Sequence, residues 1–252
     1  MELLIAALAS ALAGFVDAIV GGGGLILLPT LFAVYPNALP ATLLGTNKSA
    51  SVWGTAFASW RYTRQVRLSW ASLWPALVLA MLGSFLGAWA VTLISPDFVR
   101  RLLPPVLVLL LLYTLARRDL GQVHAPRWSA SQERMLTALI GLVIGTYDGF
   151  FGPGTGSFFV FLLVRVLGYD FLHATAATKL LNLGSNAAAL VLFSWSGHVW
   201  WHLALPLAAA NVLGSWFGTR MALRHGAGFV RWMFVGVVSA LILKTTYDAF
   251  LR

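Results

Sequence analysis

The sequence predicts an all-α polytopic membrane protein of two homologous halves arranged as inverted repeats, each a glycine-broken helical hairpin followed by three long spans. Three observations lead there. First, 59% of the residues are hydrophobic and only 10% are charged, with a mean hydropathy of +0.82. That balance suits a bilayer rather than a soluble core. Second, the chain repeats itself at a fixed offset. Asp17 and Asp148 lie 148 − 17 = 131 residues apart, as do Lys48 and Lys179, Trp70 and Trp201, and Pro75 and Pro206. Gly83, Ser84 and Gly87 recur in the same register as Gly214, Ser215 and Gly218, so the chain is a tandem duplication. Third, equivalent loops differ in charge. Arg61, Arg64 and Arg67 have their counterpart in residues 192–198, which hold no Lys or Arg, whereas Arg220, Arg224 and Arg231 crowd a later loop of the second half. With positive loops on the cytoplasmic side, residues 61–67 and 220–231 lie inside and 194–202 outside. Each half then crosses the membrane an odd number of times. A parallel arrangement of four-plus-four spans is the rival.

In chain order, apolar runs at about 3–20 and 25–35 form the first hairpin, and 41–60, 71–94 and 98–116 form three spans. The second half repeats the pattern at about 134–151, 155–168, 171–193, 203–223 and 229–250. This sets the organisation as a repeat at 1–116, a polar cytoplasmic linker at 117–132 and a repeat at 133–252. The first run is not expected to be a leader, for no basic residues precede it and it has a counterpart inside the chain. Each hairpin turns on glycine. Gly21, Gly22, Gly23 and Gly24 in one copy, and Gly152, Gly154 and Gly156 around Pro153 in the other, cannot sustain a helix whose every glycine costs about 1 kcal/mol against alanine. Broken helices at corresponding places in inverted halves mark a secondary transporter with its site near the midplane.

Of eight acids, six sit at span ends or in loops, which leaves Asp17 and Asp148 inside apolar runs, each four residues before its glycine break. An ionisable group at that depth costs several kcal/mol unless paired or hydrated, so each is a candidate for coupling or gating. The alternative is a structural acid that pairs with a lysine. All three lysines, Lys48, Lys179 and Lys244, also lie in apolar spans while arginine fills the loops. A lysine ammonium is a compact cation that suits an anion which must bind and leave, and again the alternative is an internal pair with Asp17 or Asp148. Freed amides at Gly21–Gly24 and at Gly152, Gly154, Thr155 and Gly156, each run opening a half-helix, offer an anion nest. Thr46, Asn47, Thr178, Asn182 and Asn186 flank the lysines. Lys179, Asn182 and Asn186 share one helical face by their three- and four-residue spacings. Gly83, Ser84, Gly87 and their copies read instead as close helix packing.

The duplicated acid with its glycine run, followed by Gly45-Thr46-Asn47-Lys48, resembles the TauE/SafE family of sulfite exporters along essentially the whole chain. The resemblance implies transport of a small sulfur-containing anion, sulfite or an organosulfonate, across the bacterial inner membrane, coupled to a proton or sodium gradient. The family motif falls on Asp17, Gly21 to Gly24, Asn47 and Lys48, with Lys179 and Asn182 in the second half. The halves depart from symmetry where Asn47 becomes Thr178 and Gly22 becomes Pro153.

Other functions find little support. Without cysteine there are no disulfides, thiolate metal sites or thiol catalysis, and no hydrolytic motif is present, so neither an enzyme nor a cofactor is expected. The +9 formal charge sits in short loops between spans rather than in a nucleic-acid-binding surface. His198 and His202 have metal-ligand spacing but no third ligand nearby and flanking tryptophans that mark a membrane interface, so no metal site is expected. The expected partners are a small anion, the lipid bilayer, a coupling ion and, for association, a second copy in a homodimer. A passive anion channel and a membrane assembly factor are the rival functions.

Overall fold

The computed structural model describes residues 1–91 and 124–250, with side chains through residue 237 and at 239. All regular structure among these residues is helical, as α1 (Glu2–Val20), α2 (Gly24–Val34), α3 (Pro40–Thr63), α4 (Trp70–Val91), α5 (Ala130–Phe150), α6 (Thr155–Leu162), α7 (Phe171–Trp195) and α8 (Trp201–Phe250). A π-helical turn, Leu163–Leu167, prolongs α6. The all-α expectation therefore stands. The expected span at 98–116, residues 117–123 of the linker and the Lys244 side chain lie outside the described parts.

The glycines end helices where the sequence puts the breaks. Gly21 caps α1 in the left-handed region at φ 77° and donates its N–H to the Asp17 carbonyl, and Gly152 follows α5 at φ 85°. Such angles are routine only for glycine. Other ends are set by side chains. Ser129 forms a capping box with Gln132, so α5 starts three residues ahead of the expected repeat boundary, and the Asp170 carboxylate caps α7. The two runs expected at 203–223 and 229–250 are two helices that meet at a kink at Gly226, φ 72° and ψ −164°, and are labelled together as α8.

By length and hydropathy, α1, α4 and α7 can each cross a membrane. With 11 residues, α2 reaches only about 16 Å at 1.5 Å per residue, roughly half a hydrocarbon core. At that length it does not cross a hydrocarbon core by itself. Large apolar side chains point outward on long helices, with Trp74 58% exposed, Leu139 55% and Phe217 54%. Patches of that kind fit a surface covered by lipid.

The halves exchange partners. Helix α1 packs along α8, where Ser10 Oγ donates to the Leu207 carbonyl at 2.7 Å and Ser215 Oγ to the Gly14 carbonyl at 3.2 Å. The matching helix α5 packs along α4 in the same way. A Cβ at Gly14 would stand 2.2 Å from the Asn211 carbonyl oxygen, and one at the equivalent Gly145 would stand 2.4 Å from that of Ala80. The same small-residue contact is thus made twice, and lets helices without a hydrophobic drive between them approach closely.

The equivalent helices α3 and α7 cross at the centre in opposite directions. Gly45 abuts Phe193, and three residues on, Lys48 reaches back to Asn186. Two apolar clusters close the ends of this crossing. One gathers Tyr62, Val66, Leu167, Phe171, Ala222 and Val230, and the other gathers Leu27, Leu31, Leu43, Phe193 and Val199. The basic segments around residues 61–67 and 220–231 share the first end.

Candidate functional site

Since α1 and α5 stop at their glycines, the two breaks meet back to back. A Cβ at Gly21 would lie 2.4 Å from the Gly156 Cα, and the seam is stitched by Ser157 N–H to the Gly21 carbonyl at 3.0 Å and Thr175 Oγ1 to the Ile19 carbonyl at 3.1 Å. The crossing of α3 and α7 then brings a lysine of each half to the acid of the other. Lys48 Nζ stands 2.7 Å from Asp148 Oδ1, both side chains 4% exposed, and Lys179 Nζ stands 3.0 Å from Asp17 Oδ2.

The pairs are equivalent by position and different in surroundings. Lys48 also donates to Asn186 Oδ1 at 2.9 Å, and its partner Asp148 keeps Oδ2 without a hydrogen-bond partner. Lys179 is fully buried and donates a second time to the backbone carbonyl of Asp17, while Thr55 Oγ1 approaches Asp17 Oδ2 at 3.5 Å. Lys179 is therefore held by both ends of one residue.

A small polar cavity of about 30 Å³ opens between the breaks, room for about two waters and too small for a four-atom oxyanion while both pairs are closed. Lys48, Asp148 and Asp17 line it, together with Asn47 and Asn182. Its glycine walls are Gly21 and Gly24 on one side and Gly152, Gly154 and Gly156 on the other, with Thr155 beside them. Asn47 Oδ1 and Asn182 Oδ1 are buried without protein partners, so the cavity is wet or holds a bound species.

Other expected residues stand off. Lys179, Thr178, Gly22, Gly23 and Thr46 do not line the cavity. Thr46 Oγ1 instead accepts the Trp200 N–H at 3.1 Å, a cap for the start of α8. Gly23 packs on α1, where a Cβ would meet the Ala13 carbonyl oxygen at 2.5 Å. Asn186, expected on the face of Lys179 and Asn182, lines the cavity as well, and one lining residue, Ser51, extends the expected set. Ser51 is the counterpart of Asn182, since 182 − 131 = 51, so the repeat offset could have found it. His198 is engaged by Thr42 Oγ1 at 3.3 Å.

Comparison with known proteins gives the chain a family. The family described as "Sulfite exporter TauE/SafE" matches residues 6–245. A probable membrane transporter protein of Sinorhizobium sp., ORF9, is 36% identical over 241 residues, covering 95% of this chain and 90% of the relative. YfcA of Escherichia coli K12, also named a probable membrane transporter protein, is 35% identical over 238 residues, with 94% and 87% covered. A probable membrane transporter protein of Haemophilus influenzae is 34% identical over 240 residues, with 94% and 91% covered. No solved structure matches significantly.

Proposed function

The chain belongs to the TauE/SafE family of membrane transporters, and from that premise we propose a secondary transporter that moves a small sulfur-containing anion of the sulfite or organosulfonate class. The membrane is the bacterial inner membrane, and an ion gradient drives the movement. The observation that carries this reading is the lysine–acid pair at the cavity, Lys48 with Asp148 at 2.7 Å.

An anion entering between the breaks competes with the Asp148 carboxylate for the Lys48 ammonium. The amides that open α6 at Gly154 to Gly156 add donors at the positive end of a helix. Once displaced, Asp148 is a buried carboxylate without a cation, and a buried charge left unpaired is costly. It then takes up a proton, so anion and proton move together. Release of the anion returns Lys48 to Asp148 and expels the proton.

The two halves, 1–116 and 133–252, act as inverted repeats that rock about the crossing of α3 and α7. Support comes from the opposite directions of these equivalent helices and from the basic segments 61–67 and 220–231 sharing one end of the core. The multi-pass topology and the cytoplasmic position of the linker rest on the same support.

The test is transport into liposomes of purified protein, with radiolabelled sulfite and taurine under imposed proton or sodium gradients. Accumulation above equilibrium under a proton gradient, lost in Lys48→Gln protein that still inserts, is the expected result. Gradient-independent flux at channel rates, or full activity of Lys48→Gln, would overturn the proposal, and accumulation driven by sodium alone would overturn the proton step.

A further inference from the structure

Away from the cavity, at the end of the core that carries the basic segments, the polypeptide linking the halves is tied to the turn before α7. Ala125 N–H donates to the Gly168 carbonyl at 2.9 Å, Arg127 N–H to Leu167 at 3.2 Å, and the Trp128 indole to Val166 at 2.7 Å. This strap places His124 against His173, with their rings stacked at 4.1 Å and 27° between planes. Both imidazoles converge on the Asp170 carboxylate. His173 Nδ1 lies 2.6 Å and His124 Nδ1 3.9 Å from Asp170 Oδ2. One ligand atom from each of the three residues falls within 4.8 Å of the others.

We infer that His124, Asp170 and His173 form a binding site for a divalent transition metal of the zinc class, which fastens the linker to the start of α7. Two imidazoles and one carboxylate are the borderline donors such ions select, whereas magnesium and calcium prefer all-oxygen shells. At ligand bonds of about 2.0–2.1 Å, donors in a tetrahedral site stand about 3.4 Å apart, so small ring rotations close the set. The metal takes the place of the proton shared between His173 and Asp170. Because His124 and His173 are only partly buried, with side chains 33% and 27% exposed, the remaining coordination is open to water and the ion can enter from solvent. The fastened helix is the one that carries Lys179, and none of the three ligands lines the cavity. His198 and His202, the pair the sequence singles out, take no part.

The site is independent of what the protein transports, and its test needs no transport assay. Purified full-length protein, freed of any histidine tag, is titrated with Co²⁺ and Zn²⁺ by calorimetry and by visible absorption of the cobalt form. The expected result is one ion per chain with a dissociation constant in about the micromolar range, cobalt ligand-field bands, and displacement by Zn²⁺. His124→Gln leaves the Asp170 cap of α7 intact and should weaken binding at least tenfold, as should His173→Asn, with elution on size exclusion unchanged. Absence of saturable binding would overturn the inference. So would binding that survives both substitutions, which would place the ion elsewhere, for instance at His198 and His202.

Discussion

Two lysine–acid pairs occupy equivalent positions in the duplicated halves, yet only one of their lysines meets the cavity. Lys48 borders it, held by Asp148 and Asn186. Lys179 is sealed, clasped by the carboxylate and the carbonyl of Asp17. Duplication supplied two copies of one device, and on the proposed function their surroundings divide the work. A lysine at a wet cavity can exchange its carboxylate for another anion, whereas a lysine with no access fastens one half to the other.

The acids should separate the pairs most sharply. Asp17→Ala leaves the buried Lys179 cation only the backbone carbonyl of residue 17, and removing one partner of a buried pair typically costs about 3–5 kcal/mol. Asp148→Ala leaves Lys48 its bond to Asn186 and its place at the cavity, so its cost should be below that. Thermal unfolding of the two variants in detergent checks this, and equal losses would erase the distinction.

A somewhat smaller contrast is expected at the breaks. Gly21 and Gly152 both have positive φ, but a Cβ at Gly21 runs into the Gly156 backbone at 2.4 Å, whereas at Gly152 the nearest atoms are at 3.2 Å. Gly152→Ala should cost about the 1–2 kcal/mol of a left-handed alanine, and Gly21→Ala should cost more because the seam must part. The same unfolding measurement ranks them.

That much of this is legible in the sequence follows from the repeat. The fixed offset alone marks both acids, both lysines and both breaks, because duplication preserves spacing. It also limits the acids' partners to Lys48 and Lys179, but not which goes with which. That choice depends on α3 and α7 crossing in opposite directions, and single-chain periodicity carries no such information. Thr46 departs from expectation for a related reason. Its position beside Lys48 says nothing of the helical face it takes, and it faces Trp200. The strap at His124 is invisible in the sequence because His124 belongs to the linker and His173 to a distant helix, and only the fold makes them neighbours.

The smallest contrast concerns Asn186 and its counterpart Thr55, since 186 − 131 = 55. Asn186 accepts from Lys48 at 2.9 Å, whereas Thr55 approaches Asp17 at 3.5 Å. A lost hydrogen bond to a charged group is worth about 1.5–3 kcal/mol, so Asn186→Ala should shift the apparent affinity for the transported anion several-fold or more. Thr55→Ala should leave it within error. Concentration dependence of uptake into liposomes reads both.

On the proposed function, Lys48 is the residue the anion meets. That role is tested most directly by the thermal stability of purified wild-type and Lys48→Gln protein with sulfite, sulfate, taurine or chloride. A ligand at 100 times its dissociation constant stabilises by about 2.7 kcal/mol. The account predicts a selective rise for a sulfur oxyanion or sulfonate in the wild type and none in Lys48→Gln. An equal rise in both proteins would contradict it, because the anion would then bind without the lysine that lines the cavity.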